Sequence, residues 1–210
     1  MTDQPTVDEE KRATLRRFAS LGAATPLVGL GGRNASDAGN DGTSEVRSAI
    51  RGYLATTPGA HFSKVRDDLR LGTGETQHHL KRLVDASVVE TRKDGDYRRY
   101  FVAGQFSDFE QVALGYLRRG TARGVLIALL RNPDATGSDI AATLNVSRAT
   151  VSTTAKELDA AGLLSRTDGY AVQTPETVLT LLVRFADSFG ADAVAFAAEA
   201  ADLIRFDPGA

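Results

Sequence analysis

The sequence contains no cysteine, which excludes disulfides, thiolate metal sites and cysteine nucleophiles. It also lacks a glycine-rich phosphate loop, a nucleophile elbow and any cluster with metal-ligand spacing. No catalytic constellation, cofactor or metal is therefore expected. Asp67 and Asp68 are adjacent and would diverge on a helix, and His78-His79 has no third ligand nearby. No apolar run is long enough to span a bilayer; the weakly apolar stretch after Arg17 is far too short. Lysine is scarce, and a net charge of −2 does not announce a nucleic-acid binder. How that charge is distributed matters more than its total.

What is present is a repeat. Sliding the sequence by 75 residues superposes Pro58 on Pro133, Val65 on Ile140, Leu69 on Leu144 and Leu71 on Val146 without a gap. Leu83 then falls on Leu158, Val88 on Leu163 and Val89 on Leu164. The copies agree at apolar positions and differ at polar ones, so one fold carries two surfaces. The first copy, Val65 to Phe101, reads as a short helix, a Leu-Gly-Thr-Gly turn and a second helix. Two strand-like runs follow, Val88–Lys93 and Tyr97–Val102, joined by Asp94-Gly95-Asp96. Helix, turn, helix and hairpin describe a helix-turn-helix with a wing. The expected fold is mainly α with small β-hairpin wings: tandem winged helix-turn-helix units plus C-terminal helices.

Composition divides the chain further. Residues 1–43 hold a short N-terminal helix and a flexible linker, Gly31–Thr43. Residues 44–104 form the first winged unit, 105–119 a linker helix, 120–174 the second winged unit, and 175–210 a C-terminal helical segment. The first unit carries 11 basic against 8 acidic residues, the second 5 of each, and the tail 2 against 6. Positive charge thus gathers on the first unit, and the acidic tail is a poor partner for DNA. Arg16-Arg17-Phe18 and the weakly apolar run behind it resemble a twin-arginine export signal. Against this, Phe18 follows the pair directly and Pro26 interrupts the run. The other reading is a helix over 9–24, preceded by a disordered polar start, that docks through Leu15, Phe18, Ala19 and Leu21 or Leu27.

Ser44 is expected to cap the helix Glu45–Thr56, and the recognition helix is expected over Gly74–Ala86. With Thr76, Leu80 and Leu83 inward, its outer face shows Gly74, Gln77, His78 and Lys81, preceded by Thr73 and flanked by Glu75 and Arg82. Gln77 suits adenine, Glu75 could accept from cytosine, and Lys81 suits phosphate or guanine. His79 is read as a packing histidine. An exposed polar helix face is usually only a solvated face. Here the wing beside it, with Arg92, Lys93, Arg98 and Arg99, tips the reading towards DNA. In the second unit Ser147 should cap a helix whose outer face carries Arg148, Ser152, Thr153 and Lys156, while its wing offers only Arg166. Val194, Ala197, Ala198, Ala201 and Ile204 form a small-residue stripe expected to pair two chains. The alternative is that the terminal helices fold back on the second unit.

The first copy, with L-x-L-x-T-G-E-T-Q-H-H-L-K-R-L and the wing D-G-x-Y-R-R-Y-F, resembles the winged helix of archaeal, haloarchaeal-like MarR/ArsR-type transcriptional regulators. The second copy, L-N-V-S-R-A-T-V-S-T-T-A-K-E-L-x-x-A-G-L-L, is similar to the general bacterial and archaeal pattern. The resemblance implies a cytoplasmic, usually dimeric regulator bound to double-stranded promoter DNA. It names no membrane partner and no small-molecule effector. Tandem winged helices that act as interaction scaffolds without reading bases are the alternative class.

Overall fold

The computed structural model describes residues 7–23 and 41–203. Most of the expected linker, together with Leu27 and Ile204, lies outside these residues. Contacts divide the chain into two compact units at Gln105/Phe106.

In the first unit α1 (Val7–Ala23) packs along α2 (Asp41–Thr56). α1 begins at Val7, so part of the polar start expected to be disordered is helical. Leu15 is buried in the core, Phe18 meets the Tyr53 ring edge-on at 5.3 Å, and Ala19 packs nearby, whereas Leu21 is exposed. α2 starts one turn earlier than expected where α1 packs along it, so Ser44 lies inside the helix rather than capping it. Strand β1 (Ala60–His61), which the sequence reading missed, leads into α3 (Phe62–Asp68). The His61 ring Nδ1 caps α3 by accepting from the Lys64 N–H at 3.4 Å. Helix α4 (Thr73–Asp85) follows, then the hairpin β2 (Val89–Asp94) and β3 (Tyr97–Val102). The sheet order is β1-β3-β2, all antiparallel, so β3 is the central strand. Gly59 permits this closure. Its φ is +74°, and a Cβ there would stand 3.3 Å from the Phe101 ring.

In the second unit α5 (Asp108–Leu117) opens with a capping box, Ser107 and Glu110 satisfying each other's backbone N–H. Its buried face is Gln111, Ala113, Leu114, Gly115 and Leu117. This face meets two later helices of the unit, α6 and α9. α6 (Gly120–Arg131) is buried nearly all round. Next come α7 (Gly137–Leu144), α8 (Arg148–Ala160) and a short hairpin, β4 (Leu164–Ser165) with β5 (Ala171–Val172). The boundaries of α4 and α8 differ by the same 75 residues that relate the sequence copies. The left-handed backbone positions repeat too: Arg70 and Asn145 at φ +54° and +52°, Ser87 and Gly162 at +55° and +72°.

The C-terminal helical segment opens with two pieces, α9 (Pro175–Arg184) and α10 (Ala186–Phe189). It breaks where Phe185 turns inward against the Phe106 ring, 5.8 Å between centroids. α11 (Ala191–Leu203) folds back on α6 and α9 through Ala193, Phe196 and Ala200. Of the stripe expected to pair chains, Val194 and Ala198 are exposed and Ala197 is half-buried. Arg123 fastens α6 to α11, its guanidinium donating to both Asp192 carboxylate oxygens at 2.7 and 2.9 Å.

Candidate nucleic-acid interface

α4 is amphipathic in the register the sequence implies. Thr76, His79, Leu80 and Leu83 are buried, while Thr73, Gly74, Gln77, His78, Lys81, Arg82 and Asp85 are exposed. The Thr76 hydroxyl donates to the Gly72 carbonyl at 2.9 Å, and the Glu75 carboxylate accepts from the Gly72 N–H at 3.2 Å. Glu75 also accepts from Lys11 Nζ at 2.9 Å, a contact made across 64 residues of sequence. Burial alone would push the Glu75 carboxyl up, but the bonds from Lys11 and the Gly72 N–H outweigh it and hold it below its usual range. Its oxygens are thus held at the start of α4 by these two donors. The turn between α3 and α4 is further tied to α1 by an ion pair between Arg70 and Glu10.

The wing sorts its basic residues by strand alternation. Lys93 is paired with Arg98 and Arg92 with Arg99, so each pair shares one face of the sheet. Arg98 and Tyr100 turn towards α4. Gln77, Lys81 and Arg98 line one open cleft, whose apolar side is formed by Phe62, Leu80, Val84 and Tyr100. Lys81 is also paired with Asp85 at 2.7 Å, a solvated i,i+4 contact that holds it loosely.

Arg99 turns the other way. It is only 4% exposed, forms an ion pair with Asp94, and donates from Nη1 to the Gly59 carbonyl at 3.0 Å. Arg99 therefore braces the wing and cannot meet a ligand, which corrects the expectation that both neighbouring arginines face DNA. Arg92 lies on that same face, half-buried. Tyr97, 54% exposed at the hairpin end, stacks near the His61 ring at 5.1 Å.

In the second unit the Ser147 hydroxyl accepts from the Thr150 N–H at 3.0 Å and starts α8. Val151, Ala155 and Leu158 face inward, leaving Arg148, Ser152, Thr153 and Lys156 exposed. The matching wing exposes Arg166 beside Asp168, so it concentrates little positive charge. Among the described residues no three His, Asp or Glu side chains converge as metal ligands. None of the helices described is long and apolar enough to cross a membrane.

This geometry defines a class: a winged helix-turn-helix, present in two tandem units. Residues 44–114 match a family model described as an N-terminal HTH domain, and residues 118–170 match the MarR family. The chain is 28% identical over 121 residues to an uncharacterized HTH-type transcriptional regulator of Methanocaldococcus jannaschii. That alignment covers 58% of this chain and 30% of the relative, so the chain matches less than a third of the relative's length. No solved structure matches the chain. Two helix-turn-helix family models thus match in tandem, the second of them MarR, and the chain is similar to that archaeal sequence.

Proposed function

We propose that the protein regulates transcription by binding specific double-stranded DNA, with α4 in the major groove and the wing along the backbone. The observation that carries this reading is the shared cleft of Gln77, Lys81 and Arg98. A helix side chain able to read a base edge and two cations suited to phosphate thus stand on one surface. Thr73, Gly74, His78 and Lys93 extend that surface, with Arg82 at its margin, whereas Arg92 lies on the opposite face of the wing. Arg148, Ser152, Thr153 and Lys156 offer a second, weaker surface on α8. A two-fold dimer joined through the Val194 and Ala198 side of α11, acting in the cytoplasm on a palindromic site, completes the reading.

Binding to genomic fragments across a salt series tests it. A steep salt dependence with one preferred fragment supports the regulator. Arg98→Ala should weaken all fragments alike and lower the salt slope by about one, whereas Gln77→Ala should relax the choice among fragments by about 1–3 kcal/mol. No binding at any salt would favour a protein-interaction scaffold, a role to which the weakly basic second unit is also suited.

A further inference from the structure

On the flank of α4 away from the wing, a second cleft is lined by Arg47 of α2 and by Arg82, Leu83, Asp85, Ala86 and Val88. Arg47 Nη1 is buried without a hydrogen-bond partner, and so is His79 Nδ1 close by. A buried donor left unpaired is costly, and a guanidinium more so than a neutral group. Neither Arg47 nor Arg82 makes an ion pair or hydrogen bond among the described residues. Nearby carboxylates are engaged elsewhere, Asp85 with Lys81 and Glu75 with Lys11.

The usual duty of an arginine at a helix C-terminus is to satisfy the last carbonyls. Here that duty is already discharged. The Arg82 carbonyl accepts from the Ala86 N–H at 3.0 Å, Leu83 from Val88 at 2.9 Å, and Val84 from Ser87 at 2.9 Å. Among the described residues, two guanidinium groups therefore frame a cleft whose lining carboxylate, Asp85, is already paired with Lys81. Paired guanidinium donors fit the tetrahedral oxygens of a phosphoryl group.

We propose that the cleft between α2 and α4, framed by Arg47 and Arg82, binds a phosphoryl group, belonging either to a nucleic-acid backbone or to a free phosphate. The nucleic-acid source rests on the proposed function; the free-phosphate source does not.

Inorganic phosphate is titrated into the full chain at constant ionic strength, with arginine Nε–H resonances followed by NMR. Saturable shifts at Arg47 and Arg82 are expected, with affinity falling about tenfold or more in Arg82→Ala. Arg82 is exposed, so that variant keeps the fold, and Arg47→Lys serves as the milder change on α2. In parallel, the salt slope of duplex binding is compared between the native chain and Arg82→Ala. A slope lowered by about one assigns the backbone as the source. Saturable phosphate with an unchanged slope assigns a free phosphate. Phosphate that saturates at neither arginine, together with an unchanged slope, overturns the proposal. If the native chain binds no DNA, the proposed function fails alone, and the phosphate titration still decides.

Discussion

Replacing Arg99 with alanine separates two roles that adjacent arginines would otherwise share. The change removes the ion pair to Asp94 and the bond to the Gly59 carbonyl that ties β3 to the turn before β1. It takes the Arg99 guanidinium from the Asp94 carboxylate, whose side chain is 14% exposed. Breaking a buried pair from one side costs about 3–5 kcal/mol. Asp94 ends β2 and can reach water if the hairpin opens, so the lower end, about 3 kcal/mol, is expected. The double variant Arg99→Ala/Asp94→Ala removes both members of the pair and should be milder than Arg99→Ala alone. Arg98→Ala, from an exposed site, should stay within about 0.5 kcal/mol of the native chain. Urea unfolding followed at the amides of Phe101 and Val102 measures the effect. Leu158 and Leu163 report the second unit as an internal control, since a two-unit chain need not unfold in one step. An Arg99→Ala protein within about 0.5 kcal/mol of native stability would refute the bracing role.

Other outcomes follow from the same geometry. Ser87→Gly should raise first-unit stability by up to about 1 kcal/mol, because Ser87 sits at φ +55° where the second copy has Gly162; thermal melts of both proteins check it. Ser147→Ala should lower second-unit stability by about 1 kcal/mol through loss of the α8 cap, leaving first-unit amides unchanged on urea unfolding. Burial, and then the charge of His78 with smaller effects of Arg47 and Arg82, lowers the His79 pKa below 6.5 against the opposing pull of Glu75. The unfolded chain then binds the proton more readily, so this contribution is complete above pH 6.5 and declines as pH falls below it. His79→Gln should flatten the stability profile in that window, and Glu75, whose lowered pKa acts only below its ordinary 4.5, leaves it undisturbed. A profile as steep in the variant as in the native chain would refute this.

Much of the architecture was legible in the residue order alone. A 75-residue repeat of apolar positions marks two copies of one unit, because each copy must bury the same face of the same helices. Ser147 announces the start of α8, since a hydroxyl there satisfies a backbone donor locally. The outward face of α4 also follows from helical period. Only the tertiary structure decided which arginine of the wing is offered outward. β3 is the central strand with apolar residues on both faces, Tyr100 on one and Phe101 on the other, so alternation cannot say which side meets α4. β1, two residues long, carries no periodic signal, yet the turn leading into it supplies the carbonyl that captures Arg99. The capture of Glu75 by Lys11, and the inward turn of Ala193, Phe196 and Ala200, have the same origin. Each depends on a partner distant in sequence, and local pattern holds no record of where a remote element will pack.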